Sequence, residues 1–121
     1  MKYMLLCYGD EKAWEVAGEA AIQEAMGEAV GLCHELHARG QYRLAAPLHS
    51  VSTATSVRVR EGKRLVTDGP FAETREQLGG FYLIDANDLD EAIAIAARHP
   101  GARLGTVEIR PIMEIPGLPT P

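Results

Sequence analysis

Residues 2–8 read Lys2-Tyr3-Met4-Leu5-Leu6-Cys7-Tyr8. In an extended chain Tyr3, Leu5 and Cys7 point one way, and Met4, Leu6 and Tyr8 the other. Both faces are apolar, so both need cover. Gly79-Gly80 opens a second run of the same character, Phe81-Tyr82-Leu83-Ile84. Two such runs predict the central strands of one sheet.

Working outward, residues 20–39 carry a helical stripe. With Ile22 as origin, Met26, Ala29, Cys33 and Leu36 fall within about 40° of it. Val30, Leu32 and His37 flank the stripe, and Gly40 follows as a C-cap. Residues 42–48 begin an extended stretch broken by Pro47. Thr53 to Arg60 alternates as a β-branched strand, Glu61-Gly62 is a turn, and Lys63 to Thr67 returns. A loop runs from Asp68 to about Leu78. Asp88-Leu89-Asp90-Glu91 is a helix start, with Asp88 as N-cap and Glu91 reaching back as in a capping box. Leu89, Ala92, Ile93 and Ala96 form that helix's expected buried stripe. His99 suits its last turn and Pro100-Gly101 stops it. Thr106 to Met113 alternates again, with Val107, Ile109 and Pro111 against Glu108 and Arg110.

The order β-α-β-(hairpin)-β-α-β predicts an α+β, ferredoxin-like βαββαβ domain with an extra hairpin. The expected domain spans residues 1–115, and residues 116–121 form an extended Pro/Gly-rich tail. In this topology the first and third core strands are central, and the second and fourth alternate with charge. The helices cover one face only. The other exposes a larger apolar patch than a soluble monomer normally shows, which predicts a homodimer through the sheet faces. Burying five or six such side chains at about 1.5–3 kcal/mol each gives a gross gain of about 10 kcal/mol, comparable to the cost of association.

Composition limits the functional classes. The chain has 121 residues and a net charge of −5, one soluble acidic domain and not a general nucleic-acid or anionic-membrane binder. The N-terminal apolar run is too short for a signal-peptide core or a membrane span, so the expected location is cytoplasmic. Cys7 and Cys33 have no metal-ligand spacing and read as two buried thiols. The acids lie in two blocks. Residues 1–41 hold seven acids and three bases, and nine acids and four bases follow residue 64. Between them sits a basic hairpin, Arg58, Arg60, Lys63 and Arg64, read as a protective edge or as a dock for an acidic partner. No phosphate-binding glycine loop, dinucleotide fingerprint or serine elbow is present.

The most distinctive stretch runs Asp68-Gly69-Pro70-Phe71-Ala72-Glu73-Thr74-Arg75-Glu76-Gln77-Leu78-Gly79-Gly80. One reading is architectural: an Asx-type turn at Asp68, Phe71 plugging the loop onto the core, and glycines allowing close backbone approach. The other is functional. Asp68, Glu73, Arg75 and Glu76 gather charge suited to positioning a small polar substrate or supplying a base. His49, in an irregular segment before the second core strand, is the best-placed candidate base and would pair with Asp68. An exposed loop histidine is the competing reading. His34 and His37, three apart on one helix, lack a matched third metal ligand.

The chain resembles the DGPF-domain branch of the YCII-related proteins. The resemblance rests on Met1 to Leu6 with Tyr8-Gly9-Asp10, on Thr53 to Arg58, on Asp68 to Thr74, on Gln77 to Gly80 and on Asp88 to Ala92. It implies a dimeric α+β barrel of ferredoxin-like subunits. It also implies, for some members, a link to extracytoplasmic-function sigma factors. The wider group has a proposed His–Asp dyad. Asp10 matches the aspartate, whereas the histidine position registers near Ala29, so the dyad does not transfer as a pair. The expected activity is acid–base, lyase- or isomerase-like, on a small polar metabolite. His49, Asp68 and Asp10 would be catalytic, Arg75, Glu73, Tyr8 and Tyr82 would bind substrate, and no metal or cofactor is expected. The alternative is a non-enzymatic small-molecule-binding or regulatory module with a sigma-factor partner.

Overall fold

A computed structural model describes residues 1–120. The elements run β1 Lys2–Gly9, α1 Glu11–Ala17, α2 Glu19–Ala38, β2 Tyr42–Pro47, a 3-10 turn Val51–Thr53, β3 Thr55–Arg60, β4 Lys63–Asp68, β5 Gln77–Asp85, α3 Leu89–Ala97, α4 Gly101–Leu104 and β6 Thr106–Pro111. The main sheet is antiparallel in the order β2-β5-β1-β6, and β3 and β4 form a separate two-stranded ribbon. The two doubly apolar runs are the central pair, as expected. The α+β architecture is thus compatible with a ferredoxin-like fold.

The core lies where the inward residues of β1 and β5 meet the helices. Tyr3, Leu5, Cys7, Tyr82 and Ile84 are buried with Leu32 and Leu36 of α2 and Ala92, Ile95 and Ala96 of α3. Val107 and Ile109 of β6 pack against this cluster. On the opposite face Met4, Leu6, Phe81 and Leu83 are only half-buried. The pleat makes this division: cross-strand partners share a face, so Leu6 opposite Phe81 and Met4 opposite Leu83 form one continuous apolar patch.

Several expectations need correction. The second core strand is Tyr42–Pro47, not the β-branched run, so His49 follows that strand instead of preceding it. The run 55–60 pairs only with β4. Strand preference reports how well side chains suit a pleated surface, and does not choose the partner. Helix α1 is an addition to the expected elements. It is set by Asp10, whose carboxylate accepts the N–H groups of Lys12 (3.0 Å) and Ala13 (3.4 Å) as an N-cap. The buried face of α3 is Ala92, Ile95 and Ala96, leaving Leu89 and Ile93 half exposed. Glu91 reaches back to the N–H of Asn87, one residue before the N-cap, at 3.0 Å. Phe71 is 78% exposed and plugs nothing. An Asx turn at Asp68 is excluded because the residue two on, Pro70, has no N–H. The hairpin turn does form, with Glu61 and Gly62 both at positive φ (52° and 74°), as a type I′ turn requires.

Of the two glycines expected to allow close backbone approach, Gly80 does so, whereas a Cβ on Gly79 would meet only ordinary contact at 3.7 Å. The β1–β5 register steps from Cys7↔Gly80 to Tyr8↔Leu78, skipping Gly79 as a bulge. A Cβ on Gly80 would sit 3.0 Å from the Ala46 carbonyl oxygen of β2. Glycine there lets β2 end against the sheet beside the site described next.

Candidate functional site

The inner stripe of α2 packs only at its C-terminal end. Leu32 and Leu36 are buried, while Ile22, Met26, Ala29 and Cys33 border open space above the sheet. That space is a cavity of about 690 Å³ between α2 and the β1–β5–β2 surface. Its floor is Cys7, Tyr8, Tyr82 and Ala45, its far wall is His99-Pro100-Gly101, and Trp14, Glu11 and Gln77 stand at its rim.

His99 is the chemically informative residue. Its Nδ1 accepts the Gly101 N–H at 2.9 Å. The proton of the neutral ring therefore sits on Nε2, which faces the Cys7 sulfur at 3.9 Å. The ring also stands edge-on to Tyr82, with centroids 5.2 Å apart. Burial, reinforced by the Arg103 guanidinium and opposed by Glu28, holds the His99 pKa below the ordinary 6.5. Burial likewise pushes the Cys7 thiol up to about 11. Cys7 is thus a protonated thiol beside a nitrogen that already carries a proton, which does not activate it as a nucleophile. The Tyr82 hydroxyl donates to the Ala29 carbonyl at 3.0 Å. Its own ionisation is shifted upward, first by burial and then by its hydrogen bond with Cys33.

These shifts predict a pH dependence of stability. A histidine whose pKa is lowered by folding contributes stability above its unfolded value, and loses it as pH falls through the folded one. Stability from His99 should therefore be complete above pH 6.5 and decline on acidification. The urea midpoint of the wild type should fall more between pH 7.5 and pH 5.5 than that of His99→Gln. Equal falls in the two proteins would remove His99 as the cause.

The rim is built from internal hydrogen bonds. The Glu11 carboxylate accepts the Ser50 hydroxyl (2.7 Å) and the Val51 N–H (3.1 Å). The Glu11 N–H donates to Gln77 Oε1 at 3.0 Å, and Gln77 Nε2 donates to the Thr74 carbonyl at 2.6 Å. Thr106 donates to Glu76 at 2.8 Å. The two irregular segments, residues 48–54 and 69–76, are thereby moored at the cavity mouth.

The sequence-derived candidates separate spatially. Tyr8 and Tyr82 line the cavity. His49 is exposed in the loop after β2, and Asp68 is exposed at the end of β4. Arg75 and Glu73 are exposed in the 69–76 loop. Asp10 is occupied in capping α1. None of these five lines the cavity, and no hydrogen bond joins His49 to Asp68 among the described residues. His99, Cys7, Trp14 and Glu11 stand there instead, outside the set that sequence reasoning singled out. Their signals were available, in a helix-end histidine, a central-strand cysteine and the single tryptophan, but only the fold brings them together. No group of three or more His, Cys, Asp or Glu side chains suited to a metal occurs among the described residues. No helix among those residues is long and apolar enough to cross a membrane.

A family model for the YCII-related domain matches residues 1–116. The chain is 36% identical over 114 residues to an uncharacterized protein of Rhizobium meliloti (strain 1021), covering 93% of this chain and 92% of that one. This chain belongs to the YCII-related family. Within this YCII-related protein, the matched span takes in every element that builds the cavity, from β1 to α4. The aspartate expected from the family dyad is the α1 cap, and the α2 position expected for its histidine is near Ala29, whose carbonyl holds Tyr82.

Proposed function

We propose that this YCII-related protein is a homodimeric small-molecule-binding protein whose site is the cavity beneath α2. The observation that carries this reading is the cavity itself. About 690 Å³ of space, walled mainly by apolar side chains with a few convergent polar atoms, has the size and chemistry of a ligand pocket. The fold leaves it open although it lies beside the core, where side chains otherwise pack densely. The test is a thermal-shift screen of a small-molecule mixture. A ligand should raise the unfolding temperature of the wild type but not of Ala29→Trp, which places an indole in the cavity. Equal shifts in both proteins would put the ligand elsewhere.

An acid–base enzyme is the second reading, and the moored rim favours it. Glu11 and Gln77 hold the segments carrying His49, Arg75 and Glu73 at the mouth, where side chains can swing over a bound molecule. In that reading His49, Asp68 and Asp10 exchange protons, Arg75 and Glu73 hold polar groups, and Tyr8 and Tyr82 pack the body of the substrate.

The dimer is supported by the half-buried patch of Met4, Leu6, Phe81 and Leu83 on the uncovered sheet face. It is also supported by the exposed Val57, Val59 and Val66, which share one face of a ribbon too small to be stable alone. Light scattering on a sizing column should give twice the 13.1 kDa chain mass. A monomer at micromolar concentration would sink the dimer.

A further inference from the structure

We infer that the cavity is selective for an uncharged, largely apolar molecule bearing one oxygen acceptor, such as an aryl ketone, held by the Nε2–H of His99. This rests on the proposal that the cavity is the binding site, and it names the ligand chemistry.

The selectivity follows from the polar groups that remain free. No lysine or arginine lines the cavity among the described residues, and His34 and His37 line it from the exposed side of α2, so an anion entering it would meet no permanent countercharge. Glu11, the one carboxylate at the rim, already accepts from Ser50 and Val51. The Gln77 amide is used at both ends, by the Glu11 N–H and the Thr74 carbonyl. The Tyr82 proton is given to Ala29. His99 has one nitrogen occupied by the Gly101 N–H, and the other has only a cysteine sulfur at 3.9 Å. A thiol is a weak acceptor, so the imidazole Nε2–H at the far wall is a strong donor still available to a guest, beside the half-buried Tyr8, Trp14 and Tyr42 that also line the cavity. A carboxylate would lose its hydration for one neutral hydrogen bond, which is unfavourable. A ketone or ether oxygen loses far less and satisfies the donor.

Matched probes separate the classes in the wild type. They are 4-tert-butylacetophenone, 4-tert-butylbenzoate and tert-butylbenzene. Trp14 is the chain's single tryptophan and stands at the cavity rim, so its fluorescence reports occupancy, with calorimetry as a check. The ketone should bind about tenfold or more tighter than the benzoate and about three- to tenfold tighter than the hydrocarbon. His99→Phe should bring the ketone down to the hydrocarbon's affinity while the hydrocarbon still binds. The wild-type ranking stands independently of whether that variant folds. Benzoate binding as tightly as the ketone, blocked by Ala29→Trp, would overturn the ligand class and leave the cavity reading intact. If no probe binds, or if Ala29→Trp leaves binding unchanged, the cavity reading falls and the ligand class with it.

Discussion

Gly105→Ala should destabilise this protein more than any other single methyl addition at a glycine. A Cβ at residue 105 would lie 2.1 Å from the Tyr8 carbonyl oxygen and 3.1 Å from the Gly9 Cα. Both obstacles are backbone, so no rotamer change relieves them. Residue 105 joins α4 to β6, and β6 begins its ladder at once with Thr106 opposite Tyr8. Room for the methyl requires separating β6 from β1, which breaks ladder hydrogen bonds and shifts Tyr8 and Gly9, two cavity-lining residues. The expected cost is at or above the top of the usual overpacking range of about 1–3 kcal/mol, or about 10 °C in melting temperature for a domain of this size. Gly31→Ala is the control. It lies mid-α2, and a Cβ there would meet nothing within 4 Å, so this variant should be more stable by about 0.5–1 kcal/mol. If both variants melt with the wild type, the close approach at Gly105 is not a constraint on the fold.

The second large effect is expected at Leu36. This side chain is fully buried at 0% exposure. Together with Leu32 it anchors a 20-residue helix whose preceding turns border a cavity. Truncating Leu36→Ala should cost about 2–5 kcal/mol, from lost transfer energy and a new void that the neighbouring β-strands cannot collapse to fill. Met26 lies on the same stripe but is 45% exposed, and Met26→Ala should cost about 0.5 kcal/mol or less. Urea unfolding at constant m-value reads both. Similar costs at the two positions would mean that α2 is held along its whole length, and the cavity beneath it would not be a stable feature.

Much of the fold was legible because it depends on short-range periodicity. Residues 2–8 and 81–84 read as central strands because both of their faces are apolar. Asp88 and Glu91 marked a helix start by local hydrogen-bonding chemistry. The same logic misplaced the second core strand. The sequence Tyr42-Arg43-Leu44-Ala45-Ala46-Pro47 is a weak strand former, and it is made a strand by its pairing with β5. The β-branched run at 55–60 has the stronger local preference but pairs only within its own ribbon. Charge density in the Asp68–Glu76 stretch drew the candidate chemistry to the surface, because carboxylates and guanidinium groups are conspicuous in a sequence. The interior site consists of groups that look ordinary there. Cys7 and Tyr82 are alternate residues of central strands, and His99 ends a helix.

Sequence alone determined the α+β class, the two central strands, the family and the presence of a second apolar face. These follow from side-chain periodicity and burial, which act over a few residues. Only the tertiary structure decided that α2 packs at one end and leaves a cavity at the other, and that His99, 92 residues from Cys7, turns its Nε2 toward that thiol. Such contacts join distant parts of the chain. They depend on helix register and strand partners, which local pattern does not specify.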